Sequence, residues 1–336
     1  MSIPILDLAE ATTPGAPRSA AVADQLRAAG ESAGFFYIVN HGVPAAQVAG
    51  MFEAAKALFD LPQADKDAIS LLNSPVMRGY EAIGVQTLDA SALPDLKESF
   101  YAGIEYPPEH PYVKARFQSY GSNQWPAALP WMRERCEAYT ATLCALSQRV
   151  MQLMALALEL PESTFDHAHA SPMVTLRLLR YPPHPGRTEG GDDPRLWGAG
   201  AHTDWGAVTL LAQDSFGGLE VCMPDGTWVA APPVEGSFVV NLGDMIPRWT
   251  NGRFHSNAHR VRNTASGGRP RYSIPFFYSP DYLTRVEPLP GCVSTASPAR
   301  WAPCTVGEHL HEMYMQTYGL KRDVSEAKAV AEASGA

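Results

Sequence analysis

Apolar residues recur at helical spacing in the first half of the chain and in short β runs in the second, with the change near Ser171. Residues 3–8 predict a short strand. An alanine-rich stretch capped by Ser19, with Val22 and Leu26 one turn apart, predicts a helix to about Ala33. Gly34 ends it, and Phe35-Phe36-Tyr37-Ile38-Val39 is a compact β run stopped by Asn40-His41-Gly42. A second amphipathic helix is expected over residues 45–59, and a long helical region over 126–160, broken near Ser147. Between them, residues 71–110 lose periodicity and are rich in Pro, Gly and isolated charges, which predicts a functional loop, read here as a lid.

Seven short β runs follow, at residues 174–181, 207–213, 219–222, 227–230, 238–241, 258–261 and 271–278. Gly217-Gly218, Asp225-Gly226 and Asn251-Gly252 separate several of them and are strong turn signals. Closely spaced antiparallel strands of this kind predict a sandwich or barrel-like double sheet. A helix over residues 308–318 closes the fold, and a small polar tail follows from Asp323. The expected class is mainly β with flanking helices. The expectation is one domain over residues 1–336: an N-terminal helical and strand region (1–170), a β-rich core with the closing helix (171–322) and the tail (323–336).

Composition adds exclusions. The formal charge of −9, with no local cluster of Lys and Arg, argues against a nucleic-acid partner. No apolar run reaches signal-peptide or membrane-span length, which predicts a cytoplasmic protein without a membrane partner. The five cysteines lack zinc-site spacing and read as reduced core residues. The 29 prolines argue against a very long uninterrupted helix. The expected assembly is a monomer or weak dimer.

His202-Thr203-Asp204 lies where a Gly-rich loop meets a strand, and residues two apart in extended backbone share a face. His259, on a later strand, supplies a third ligand, with His255 as its rival nearer a turn. Two imidazoles and one carboxylate on one side of a metal leave the opposite positions open, the arrangement of non-haem iron(II) oxygenases. The alternative is a local hydrogen-bonded His–Asp pair with His259 as a core histidine.

Arg271 is the cation in an apolar strand and shares its face with Ser273; Arg177 and Tyr181 share a face on an earlier one. A buried guanidinium with a hydroxyl beside it suits a planar carboxylate. The competing reading pairs Arg271 with a structural Asp or Glu.

Taken in order, His202-x-Asp204, His259-Arg260-Val261 and Arg271-x-Ser273, preceded by the run from Gly34 to Gly42, resemble the isopenicillin N synthase-like family of iron(II)- and 2-oxoglutarate-dependent oxygenases over residues 3–320. Asp95-Leu96-Lys97-Glu98-Ser99-Phe100 and the segment from Leu176 to Pro182 are similar to microbial members, near ethylene-forming enzyme and thymine hydroxylase. The resemblance implies a distorted double-stranded β-helix, or jelly roll, with iron on His202, Asp204 and His259. It implies 2-oxoglutarate on the iron with its far carboxylate on Arg271 and Ser273, assisted by Tyr181 and Arg177. O2 is then the oxidant, ascorbate a supporting reductant, and the reaction oxidises, most simply hydroxylates, a small-molecule substrate with release of succinate and CO2. Leu179 replaces the Asn that plant members carry two residues before the tyrosine. An iron oxidase without 2-oxoglutarate, a metal-dependent hydrolase and a non-catalytic jelly roll are the alternatives. For the substrate, Arg78 and Tyr80 are expected to grip a polar group, with Trp249 and Phe277 as apolar walls.

Overall fold

The computed structural model describes residues 2–85, 95–183, 197–262 and 269–318. In chain order its elements are β1 (Ile5–Asp7), α1 (Ser19–Glu31), β2 (Phe35–Val39), α2 (Ala45–Phe59), α3 (Gln63–Ala68), β3 (Gly79–Glu81), β4 (Glu98–Ala102), α4 (Pro111–Lys114), α5 (Met132–Ala157) and β5 (Met173–Tyr181). Then come β6 (Ala199–His202), β7 (Val208–Gln213), β8 (Leu219–Cys222), β9 (Trp228–Ala230), β10 (Phe238–Leu242), α6 (Met245–Trp249), β11 (His259–Val261), β12 (Arg271–Ser279), β13 (Arg285–Val286), β14 (Cys304–Thr305) and α7 (Val306–Tyr318).

Eight strands form a sheet in the order β1-β2-β10-β7-β12-β5-β4-β3, and four form a smaller one in the order β6-β11-β8-β9. All pairings in these two sheets but β1–β2 are antiparallel. The alternation of side chains explains why β2 and β5 are apolar on both faces. Phe36 and Ile38 of β2, with Leu176 and Leu178 of β5, join the core under α1, α2 and α5. Phe35, Tyr37, Leu179 and Tyr181 point the other way and meet Ala199, Leu219, Val221 and Val261 of the smaller sheet. The inner cluster closes the jelly roll, and the candidate ligands sit at its mouth.

Gly34 joins α1 to β2 at φ 65°, and a Cβ there would lie 2.0 Å from the carbonyl oxygen of His255. Only glycine satisfies both the left-handed backbone and this contact. At the other end of the chain, Thr305 and Glu308 form a capping box: Glu308 N donates to Thr305 Oγ1 at 3.1 Å, and Thr305 N donates to Glu308 Oε2 at 2.8 Å. That box starts α7 and places its residues against the mouth of the barrel.

Four expectations change. Helix α5 runs unbroken for 26 residues through Ser147, because the surrounding Ala, Leu, Met and Arg residues favour helix and Ser147 is buried on its packed face. Prolines do not prevent so long a helix, since they lie outside it. Ser19 does not cap α1; its hydroxyl accepts from Arg149 Nη2 at 2.7 Å, and Arg18 occupies the cap position. Finally, residues 71–110 are not simply a lid. β3 and β4 extend the large sheet beyond β5, in a register that puts Glu98 beside Arg180 and Tyr101 beside Arg177. The tail expected from Asp323 lies outside the described residues.

Candidate metal centre and adjoining cavities

β6 ends at His202, and its antiparallel partner β11 begins at His259, which lies directly opposite. The two imidazole centroids are 4.3 Å apart. Asp204 follows the end of β6, and its Oδ1 lies 3.9 Å from His202 Nε2 and 3.8 Å from His259 Nε2. One ligand atom from each of the three falls within 4.8 Å of the others, a spacing that fits a metal ion. Among the described residues no other group of three His, Cys, Asp or Glu does this, and His255 is not part of it.

The groups behind the three candidate ligands leave one atom of each for an ion. Thr209 Oγ1 and Asn241 Nδ2 donate to Asp204 Oδ2 at 2.5 and 2.7 Å, so Oδ1 faces the two imidazoles. His202 Nδ1 donates to Gly200 O at 2.8 Å, which makes Nε2 the lone-pair nitrogen. Burial, then the neighbouring His259, pushes the His202 pKa down to about 3. Burial opposes ionisation of Asp204, yet the two imidazoles and the donors on Oδ2 outweigh it and hold the carboxyl below its usual range. A neutral imidazole and an ionised carboxylate are the forms that bind a cation.

Two cavities meet at this centre and share His202, Asp204, Arg177 and Phe277. The smaller, about 60 Å³, runs between the sheets to Arg271 and Ser273. Arg271 is fully buried. Its guanidinium donates to Gly217 O, to Ser273 Oγ at 3.4 Å and to Gln213 Oε1 at 3.4 Å, and lies over the Tyr181 ring at 4.7 Å. Among the described residues no carboxylate pairs with it, so the reading as a structural ion pair does not hold. Sequence reasoning assigned no role to Gln213 beside this guanidinium, and placed Lys97 only within the lid, whereas it stands in the cavity wall. Lys97 is buried against Asp95, whose other oxygen accepts from Gly200 N at 3.0 Å; burial, then nearby Arg177, pushes the ammonium pKa down to about 8.

The larger cavity, about 180 Å³, opens on the other side of the centre. Of the four residues expected at the substrate, Phe277 and Arg78 line it, whereas Tyr80 and Trp249 do not. Arg78 reaches its wall with a guanidinium already bonded to the carbonyls of Ile104, Gly121 and Ser119 and to Asn123 Oδ1. Tyr80 points to the opposite face of β3 and donates to Glu98 Oε2 at 2.8 Å. Trp249 is buried in the core, 5.0 Å from the Phe165 ring. A strand exposes alternate residues, so Glu81 takes the inward position on β3 that Tyr80 was expected to hold. Arg177 lines both cavities; it pairs with Glu81 Oε2 at 3.0 Å and donates to Ser99 Oγ at 2.8 Å.

Residues 3–128 match the family described as non-haem dioxygenase in morphine synthesis N-terminal, and residues 172–280 match the 2OG-Fe(II) oxygenase superfamily. A 2-oxoglutarate-Fe(II) type oxidoreductase of Emericella nidulans is 38% identical, covering 97% of this chain and 95% of its own. A 2-oxoglutarate-dependent dioxygenase of Aspergillus niger is 37% identical, covering 98% of each chain. The crystal structure of the Neurospora crassa thymine 7-hydroxylase with alpha-KG and thymine superposes with a TM-score of 0.82 at 29% identity, covering 94% of this chain and 97% of that one. The resemblance and the jelly-roll expectation are therefore borne out, and the hydrolase and non-catalytic readings are set aside. The chain belongs to the 2OG-Fe(II) oxygenase superfamily and is a 2-oxoglutarate-dependent Fe(II) dioxygenase.

Proposed function

We propose that His202, Asp204 and His259 hold the iron, that the smaller cavity takes 2-oxoglutarate, and that the larger one takes a small-molecule substrate that is hydroxylated. The observation that carries this reading is Arg271, a fully buried guanidinium with no carboxylate partner among the described residues, facing the same cavity as the three ligands. A buried cation without an anion is costly, and the far carboxylate of 2-oxoglutarate supplies the missing charge. Ser273 adds a hydroxyl, and Tyr181 provides the aromatic face beneath the guanidinium.

When bound, the iron and 2-oxoglutarate supply the oxidising chemistry, with O2 as oxidant and succinate and CO2 as products. The protein's part is to hold His202 neutral with its Nε2 free, keep Asp204 ionised and aimed by Thr209 and Asn241, and enclose the cosubstrate away from water. The complex of the Neurospora enzyme with thymine supports a small substrate. The unpaired state of all five cysteines supports a reducing compartment such as the cytoplasm, and ascorbate is the expected supporting reductant. Assembly is proposed as a monomer or weak dimer. No helix among the described residues is long and apolar enough to cross a membrane.

The test is an anaerobic titration of the Fe(II) protein with 2-oxoglutarate, followed by visible absorption, in wild type and Arg271→Gln. The variant should retain iron and bind 2-oxoglutarate at least about 30-fold more weakly, given the roughly 2–5 kcal/mol cost of breaking a buried charge pair. Equal affinity in the two proteins would remove Arg271 from the site.

A further inference from the structure

Glu81 is 5% exposed on the wall of the larger cavity, and its two carboxylate oxygens have different surroundings. Oε2 accepts from Tyr101 Oη at 2.8 Å and from Arg177 Nη2 at 3.0 Å. Oε1 accepts no hydrogen bond from the described residues, and it is not sealed from the cavity. A ligand that fills the cavity displaces the water that can reach this oxygen, so it gains by supplying a donor in its place.

The charges around it narrow the class of ligand. Arg177 neutralises Glu81. The other guanidinium at this wall, Arg78, is held by three carbonyls and Asn123. Among the described residues the two guanidiniums of this wall are engaged by oxygens of the protein, Arg78 by four of them and Arg177 by Glu81 and Ser99, whereas Glu81 offers one open acceptor. Its remaining walls are largely apolar and aromatic: Trp205 meets Tyr314 edge-on at 4.9 Å, with Phe277 and Leu310 nearby. Such faces suit a flat ring.

We infer that the substrate is an uncharged, ring-bearing small molecule that donates an N–H or O–H to Glu81 Oε1. This inference rests on the reading of the larger cavity as the substrate chamber. Glu81 and Arg177 face each other across β3, β4 and β5, so the acceptor is set by rigid sheet rather than by a loop.

The test uses the protein loaded with Fe(II) and 2-oxoglutarate under anaerobic conditions. Benzamide, N,N-dimethylbenzamide and benzoate are titrated separately, with two readouts: the visible absorption of the loaded centre and quenching of tryptophan fluorescence, to which Trp205 contributes. Benzamide should bind about tenfold or more tightly than either of the others, the scale of one hydrogen bond to a charged group. Glu81→Gln should erase the preference over benzoate, because Arg177 then loses its neutralising charge. The wild-type comparison stands even if that variant does not fold. Benzoate or the dimethyl amide binding as tightly as benzamide, or no saturable binding of benzamide, would overturn the inference. If 2-oxoglutarate itself fails to change the visible absorption of the Fe(II) protein, the fault lies in the underlying assignment of the site instead.

Discussion

Thr209→Val should weaken metal binding although Thr209 is not one of the three ligands. Its hydroxyl donates to Asp204 Oδ2 at 2.5 Å, and Asn241 supplies the second donor at 2.7 Å. Both side chains are buried, at 4% exposure each, so water does not readily replace a lost donor. Valine has the same shape and sits comfortably in β7, which is paired on both sides by β10 and β12. The substitution therefore removes a hydrogen bond and little else. A hydrogen bond to a charged group contributes about 1.5–3 kcal/mol, and loss of a group that orients a metal ligand lowers metal affinity by about 10–100-fold. The two scales agree, and a loss of about tenfold or more is expected. The assay is competition of Fe(II) or Co(II) against a chelating indicator under anaerobic conditions, with Thr209→Ser as the control that keeps the hydroxyl. Valine and serine variants with equal metal affinity would refute the idea that Thr209 orients Asp204.

Two further outcomes follow from the geometry. His259→Ala should lose bound metal, whereas His255→Ala should keep it, since His255 lies outside the ligand cluster; metal content after gel filtration decides, and the reverse result would reassign the third ligand. His169 is buried against Tyr278 at 4.7 Å, neither ring nitrogen has a partner among the described residues, and burial pushes its pKa down to about 3. The unfolded chain takes up this proton near pH 6.5 while the folded one resists to about pH 3. Stability should therefore fall with acidification across that window by up to about 1.4 kcal/mol per pH unit, and His169→Leu should flatten the urea midpoint between about pH 6 and 4.

The candidate metal ligands were legible because their signal is local. His202 and Asp204 are two residues apart, and His259 starts a strand whose turn signals are plain in the chain. β2 and α2 were likewise readable from a compact apolar run and a clean helical period. What was missed depends on long-range pairing. Glu81 meets Arg177 only because β3 and β4 add to the edge of the sheet beside β5, and neither strand is long or apolar enough to declare itself. The same short strand explains Tyr80, where a one-residue difference in parity from Glu81 turns a side chain from the cavity to the core. Gln213, Thr209 and Asn241 carry polar groups inward from otherwise apolar strands, a weak signal until the facing charge is known.

The most direct measurement is a crystal structure of the protein grown anaerobically with Fe(II) and 2-oxoglutarate, with anomalous scattering collected at the iron edge. The account predicts one anomalous peak between His202 Nε2, His259 Nε2 and Asp204 Oδ1, and the far carboxylate of 2-oxoglutarate on Arg271 and Ser273. A peak away from these three atoms, or a carboxylate bound by Lys97 or Arg177 with Arg271 left untouched, would contradict it.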